Sequence, residues 1–137
     1  MIKVIQKSKD LVLDIKVLKS HLRIEHSHED EYLKVLIEAA TEILEKKMGM
    51  SILNKKYKYT GDPSDPIPIY PITKVFAKKD GEFCAGIAES SSEVPSDIMY
   101  AVLQVAKNMY ECNNDENILE SQYIRHVIGI YKPLNIN

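Results

Sequence analysis

The sequence has few of the residues that build small catalytic or metal sites. Its 137 residues include no tryptophan, two phenylalanines, five glycines and two cysteines. The glycines are isolated, so the chain has no glycine-rich loop of the kind that cradles phosphate groups. Cys84 and Cys112 have no Cys-x-x-Cys spacing, which predicts two reduced, incidental thiols. These absences argue against phosphate loops and cysteine-based metal or redox sites.

Excess positive charge and long apolar runs are also missing. Lys and Arg number 18 against 20 Asp and Glu, a net charge of −2, and the pI is about 6.1. Domains that bind nucleic acid through positive charge usually have a pI above about 9. No apolar run approaches the ~20 residues of a membrane span. The first ten residues have no apolar core of a secretory signal. We therefore expect neither a membrane association nor a basic nucleic-acid binder.

What the sequence does contain is four helical segments and one extended segment between the second and the third. Its length predicts one domain over residues 1–137, with enough buried surface to fold without a metal or disulfide. Residues about 53–87 read as a β or extended insert, with a hairpin turn at Asp80-Gly81. Apolar residues recur with helical spacing over about 15–22, 28–48, 95–112 and 119–130. The predicted fold class is mainly α: a small bundle of about four helices with an inserted β-hairpin or extended loop.

Capping residues support these helix bounds. Asp14 and Ser27 are the predicted N-caps of the first two helices, because their side-chain oxygens can accept from free first-turn amides. Gly49 is the predicted stop of the second helix. Pro95 is predicted to open the third, where a missing amide proton costs nothing. This third helix is apolar on two sides, so we expect it at the centre of the bundle.

Histidines and carboxylates cluster at the turn between the first two helices. They lack a second matching cluster and a His-Glu-x-x-His pattern, so a polar corner is favoured over a metal site. Ser20 and Ser27 lie beside histidines but not in a nucleophile elbow. We predict no catalytic residue, no cofactor and no metal, and a small metal-dependent enzyme at His26 and His28 stays an alternative. The cluster consists of His21, Glu25, His26, His28 and Glu29.

Lysine and tyrosine alternate over residues 55–59. Such interleaving can bind single-stranded nucleic acid by stacking and charge. A β-strand, however, places Tyr57 and Tyr59 on one face and Lys56 and Lys58 on the other. We favour a half-buried strand at a sheet edge protected by lysine. The eight tyrosines fit two roles equally, covering the core or lying at subunit interfaces.

The order of several segments carries a resemblance to a known family. These segments are Leu18-Lys19-Ser20-His21-Leu22-Arg23-Ile24, Leu36-Ile37-Glu38-Ala39-Ala40, residues 67–75 with Asp80-Gly81, residues 94–98 with 101–103 and 109–111, and Tyr131-Lys132. In their order, over residues of about 11–132, the chain is similar to tailed-phage head–tail connector proteins, also described as head-completion adaptors or DNA-packaging proteins. It departs from that pattern in a short, proline-rich middle, in Ile130 instead of proline and in Lys132 instead of arginine.

The resemblance implies a structural subunit of a phage or prophage particle. Such proteins form a homo-oligomeric ring of about twelve subunits below the portal protein. The ring extends the DNA channel and docks tail or stopper proteins, so DNA is contacted non-specifically at most. The implied location is the head–tail junction of the virion, and the host cytoplasm before assembly.

The resemblance also implies where this chain would make contacts. Head-to-tail ring contacts need two different patches on each subunit, and the hairpin and the C-terminal segment are the candidates. The alternative function is a small helical DNA-binding regulator using the helices over 15–22 and 28–48, although the second of these opens with three acids. The predicted subunit-interface residues are Tyr57, Tyr59, Ile67, Ile69 and Tyr70. The predicted portal-docking residues are Tyr123, Ile128, Tyr131, Lys132 and Leu134.

Overall fold

The computed structural model describes residues 2–7, 11–59, 71–75, 81–111, 119 and 121–131. Within these ranges the chain has four α-helices and one four-stranded antiparallel sheet, which confirms the mainly α class. The chain divides into two compact units. The sheet unit comprises Met1–Asp10 and Gly49–Val94, and the helical unit comprises Leu11–Met48 and Pro95–Asn137. The single domain over residues 1–137 stays a prediction.

The helical unit contains α1 (Ile15–Leu22), α2 (Asp30–Met48), α3 (Ser96–Tyr110) and α4 (Gln122–Tyr131). The observed bounds lie within three residues of the predicted ones. α3 packs against α1, α2 and α4, which confirms the central position expected from its two apolar sides. None of the helices within the described ranges is long and apolar enough to cross a membrane.

The core of the helical unit follows the helical repeat of its sequences. On α2 the apolar residues predicted to share one face are buried, except Ile43, which is half-buried. Burying a Leu, Ile or Val side chain contributes about 1.5–3 kcal/mol. This packing, more than helix propensity, therefore holds the short α1 and α4 in place. The buried apolar residues of the unit include Leu13, Leu18, Leu33, Leu36, Ile37, Ala40, Leu44, Met48, Ile98, Val102, Val105, Ile124 and Val127.

The helix ends show which capping signals were correct. Asp14 caps α1, because its Oδ1 accepts from the Lys16 amide at 2.9 Å. Gly49 follows α2 at φ 69°, as expected of a glycine stop. Ser27 is not the cap of α2, because that helix begins three residues later at Asp30; Ser27 lies in the preceding turn, where its carbonyl accepts from the Asp30 amide. Pro95 is the N-cap of α3 and not its first helical residue.

The end of α1 is closed by a residue in left-handed geometry. Arg23 has φ 61° and ψ 40°, and it is the only described residue other than glycine with a positive φ. The following Ile24 amide donates to the Lys19 carbonyl at 2.8 Å, and the Arg23 amide donates to the Ser20 carbonyl at 3.3 Å. These two bonds form a Schellman closure at a position where glycine is preferred.

The sheet unit contains β1 (Ile2–Lys7), β2 (Lys55–Tyr59), β3 (Ile72–Val75) and β4 (Glu82–Ala85), in the order β1-β2-β4-β3. The predicted hairpin is present: β3 and β4 pair antiparallel, and Gly81 has φ 68°. The interpretation of β2 as an edge strand was wrong, since it lies between β1 and β4. β1 supplies the neighbour that makes β2 internal.

One face of the sheet is held by an aromatic pair. The Tyr57 and Phe83 rings stack with centroids 5.3 Å apart, at paired positions of β2 and β4. The Tyr57 hydroxyl donates to Ser51 Oγ at 2.9 Å, and Ser51 Oγ donates to the Leu53 carbonyl at 2.9 Å. Both rings are buried. These hydrogen bonds satisfy the buried hydroxyls of Tyr57 and Ser51.

Candidate assembly surface

Two tyrosines of the C-terminal helix α4 form hydrogen bonds with the beginning of α3. The Tyr131 hydroxyl lies 2.8 Å from Oδ1 and 2.9 Å from Oδ2 of Asp97, and donates to this carboxylate. The Tyr123 hydroxyl donates to the Asp97 carbonyl at 3.1 Å. The Tyr123 ring meets Tyr100 edge to face, with centroids 4.9 Å apart. One residue of α3 therefore receives hydrogen bonds from both ends of α4.

The electrostatics of this attachment favour neutral tyrosines. Burial is the main cause that raises the pKa of Tyr131 to about 12, followed by its hydrogen bond to Asp97 and the carboxylate charge. Burial also raises the pKa of Tyr123, with smaller effects of Asp97 and Tyr100. Asp97 lies in the first turn of α3, where the helix dipole favours a negative charge. Both tyrosines therefore keep their protons at neutral pH.

The opposite side of α4 is exposed and contains a glycine, Gly129. A Cβ built on Gly129 would meet no atom within 4 Å. Glycine inside a helix costs about 1 kcal/mol relative to alanine, and no close contact within the described residues explains it. The next residue, Ile130, is 57% exposed. We define the outer face of α4 as the exposed residues Gln122, Arg125, His126, Gly129 and Ile130.

A second exposed face lies on α2. Residues 31, 35, 38 and 42 recur with helical spacing and therefore share one side of the helix, away from its buried side. Val35 is 59% exposed, the largest value among the exposed large apolar residues described. Glu38 and Glu42 make no ion pair within the described parts of the chain. We define the outer face of α2 as Glu31, Val35, Glu38 and Glu42.

The residues predicted to dock the portal have an inward role where they are described. Tyr123, Ile128 and Tyr131 are half-buried, and the two tyrosines bond to Asp97. Their side chains thus position α4 and are not its most exposed residues. Lys132 and Leu134 lie outside the described residues. Asp97 was missed by sequence reasoning, since nothing in the local pattern distinguishes it from an ordinary acidic residue in a first helical turn.

The residues predicted at the subunit interface are only partly described. Tyr57 is 5% exposed, and its side chain contacts Phe83 and Ser51. It is therefore not available on the surface of this chain. Tyr59 is described by its backbone in β2. Ile67, Ile69 and Tyr70 lie outside the described residues.

The polar corner before α2 is built from ion pairs and hydrogen bonds. Lys19 Nζ contacts Asp30 Oδ1 at 2.9 Å, which links α1 to α2. The Tyr110 hydroxyl donates to Glu29 Oε2 at 2.8 Å, and His26 Nε2 lies 3.9 Å from the same oxygen. The His28 amide donates to His26 Nδ1 at 3.3 Å. In the described residues no three His, Cys, Asp or Glu side chains come together to hold a metal ion.

The fold is similar to that of chains in structures of gene transfer agent particles. A chain in the neck of an empty gene transfer agent particle, computed with C6 symmetry, is similar with a TM-score of 0.79 and 16% identity. A chain in the native particle's virion gives 0.75 and 16%, and one in its neck computed with C12 symmetry gives 0.71 and 15%. Each match covers 100% of this chain and 97% of the other chain. Comparison with curated proteins gives no match.

The sequence itself carries the closer assignment. Residues 13–128 match the model of the phage gp6-like head–tail connector protein family. The chain belongs to this family. The resemblance found in the sequence is confirmed, and the assignment favours a structural connector protein over the DNA-binding regulator kept as an alternative.

Proposed function

We propose that this chain is a ring-forming subunit at the head–tail junction of a phage or prophage particle. The ring lies below the portal protein, extends the DNA channel and docks tail or stopper proteins. The observation that carries this proposal is the family match over residues 13–128. The similar neck structures were computed with C6 and C12 symmetry, which supports a ring of about twelve copies.

The two predicted contact regions keep distinct roles in this proposal. The C-terminal segment that follows Tyr131, with Lys132 and Leu134, contacts the portal, and the Asp97 bonds of Tyr123 and Tyr131 hold the preceding helix α4 on α3. The segment between β2 and β3, with Ile67, Ile69 and Tyr70, contacts a neighbouring subunit.

The proposed role needs no chemistry from the chain. At the polar corner, Lys19 of α1 pairs with Asp30 of α2 and Tyr110 of α3 donates to Glu29, which supports a structural role without catalysis. The charge suits a conduit for DNA as well. With −2 per chain, twelve copies would carry about −24, and such a ring attracts phosphate weakly because attraction depends on Lys and Arg contacts.

Co-assembly with the portal protein of the same particle tests this function. Purified chain and portal rings are mixed, and the complex is isolated by size exclusion and imaged. We expect a second ring stacked on the portal, adding about 187 kDa for twelve chains of 15.6 kDa. A portal that binds none of the chain, together with a salt-sensitive gel shift of duplex DNA by the chain alone, would favour the DNA-binding regulator instead.

A further inference from the structure

We propose that the outer face of α4 in one subunit binds the outer face of α2 in the next copy of this chain. The inference rests on the proposed ring and names two complementary surfaces for its repeated contact. The surfaces differ from each other, so the contact is head-to-tail and can close a ring. Both lie in the helical unit.

The first argument is shape. A Cβ built on Gly129 would meet no atom of the described residues within 4 Å, which leaves space on the outer face of α4, while Val35 projects from α2 with 59% of its surface exposed. A valine that enters a glycine gap lets two helix backbones approach closely, as small residues do where helices cross. The exposed Ile130 borders the gap and supplies further apolar surface. This contact between copies explains why position 129 is a glycine.

The second argument is charge. Arg125 and His126 lie one turn before Gly129 on the exposed side of α4. Glu38 and Glu42 lie one and two turns after Val35 on the exposed side of α2. With the helices antiparallel and Val35 at Gly129, Arg125 lies beside Glu38. Opposite charges at the border of a contact favour the correct partner and orientation.

Cross-linking between copies tests the contact directly. In a Cys84→Ser, Cys112→Ser background, one chain carries Glu38→Cys and a second carries Arg125→Cys. A short bis-maleimide should join them into dimers only when both chains are mixed. A chain carrying both cysteines should give a ladder of higher oligomers, because each copy then bears both halves of the contact. Cross-linking traps transient encounters and so does not require a stable ring.

The matched control uses the other side of the same helix. Lys47 is exposed on α2, about half a turn around the axis from Glu38. A pair of Lys47→Cys and Arg125→Cys should cross-link at least tenfold more slowly. Equal rates for the two pairs, or no cross-link with Glu38→Cys at any concentration, would overturn the proposal.

Gly129→Ala provides an independent test, because it should stabilise the single chain but weaken the association between chains. We expect the melting temperature of the single chain to rise by about 2–5 °C, since alanine favours the helix and its Cβ has space. The concentration at half-association should rise at least tenfold, because the Cβ fills the gap. If association is unchanged in Gly129→Ala and in the larger Gly129→Leu, the proposed contact is wrong.

These outcomes separate the contact from the proposed function. Rings on the portal without the Glu38–Arg125 cross-link would overturn the contact and leave the connector role intact. The cross-link and its ladder without binding to the portal would support the contact and count against the connector role.

Discussion

The hydroxyl of Tyr131 bonds to both carboxylate oxygens of Asp97, at 2.8 and 2.9 Å. The two residues lie at the C-terminal end of α4 and in the first turn of α3. Hydrogen bonds to a charged group contribute about 1.5–3 kcal/mol, a large share for a helix of ten residues. This pair therefore decides how firmly the last described helix stays on the bundle.

Replacing Tyr131 by phenylalanine should loosen α4 without unfolding the other helices. We expect the free energy of unfolding to fall by about 1–3 kcal/mol, with faster amide exchange confined to α4. Urea denaturation and hydrogen exchange measure the two effects. Tyr100→Phe is the control: it keeps the ring that meets Tyr123 and should change stability by less than about 0.5 kcal/mol. An equal loss in both variants would contradict the role of the Asp97 bond.

The same pair predicts a loss of stability at alkaline pH. The pKa of Tyr131 is about 12 in the folded chain against about 10 for an ordinary tyrosine. The contribution is complete below pH ~10 and disappears as the pH rises through about 12, since the unfolded chain loses this proton first. Denaturation at about pH 9 and about pH 11 should show a smaller decline in Tyr131→Phe than in the wild type. Equal declines would show that Tyr131 is not the group responsible.

Removing Leu134–Asn137 should weaken portal binding and leave the bundle folded. The described core of the helical unit extends to Val127, before the deleted segment. Circular dichroism should therefore be unchanged, while the amount of chain that co-sediments with portal rings falls at least tenfold. A deletion variant that no longer folds would refute the separation of docking from folding.

Gly86 should be irreplaceable in the sheet unit. A Cβ at this position would collide with the backbone N and Cα of Asn54 and would lie 2.7 Å from the Leu53 carbonyl carbon. Because backbone atoms cannot move aside, we expect Gly86→Ala to lower the free energy of unfolding by at least about 2 kcal/mol. Gly129→Ala is the matched control, since its Cβ has open space and should not destabilise. Urea denaturation of both variants is the measurement.

Replacing Arg23 at the end of α1 by glycine should stabilise the chain. Its φ of 61° is unfavourable for a residue with a Cβ, so Arg23→Gly should stabilise the chain by about 0.5–1 kcal/mol. Arg23→Ala removes the same charge and keeps the Cβ, and it should give no gain. Thermal denaturation distinguishes them. A gain in both variants would assign the effect to charge and not to backbone geometry.

The helices were predictable because their signals are local. On α2 the apolar spacing and Gly49 lie within one continuous segment, so the periodicity gave the buried face correctly. The hairpin was equally readable from Asp80-Gly81. Ser27 was misjudged as a cap because several polar residues precede α2 and any of them fits a capping pattern.

The remaining features depend on residues far apart in the chain. β1 pairs Val4 with Tyr57, and no local pattern in either segment shows that pairing. The tyrosines at 123 and 131 were singled out, but their partner Asp97 was not, because a hydrogen bond across the bundle leaves no trace in spacing. Likewise, the sequence shows Gly129 inside a predicted helix but not that its surroundings are empty.

The interleaving of the two units has a consequence for how the chain is made. β1 leaves the ribosome well before Tyr57, so it has no sheet to join while α1 and α2 are being synthesised. The helices α1 and α2 can pack against α3 and α4 only later, because α3 and α4 follow the whole of the sheet unit in the sequence. Neither unit is complete after half of the chain, and no single cut yields one of them intact. Folding must therefore be concluded after synthesis, when both halves of each unit are present in the same molecule.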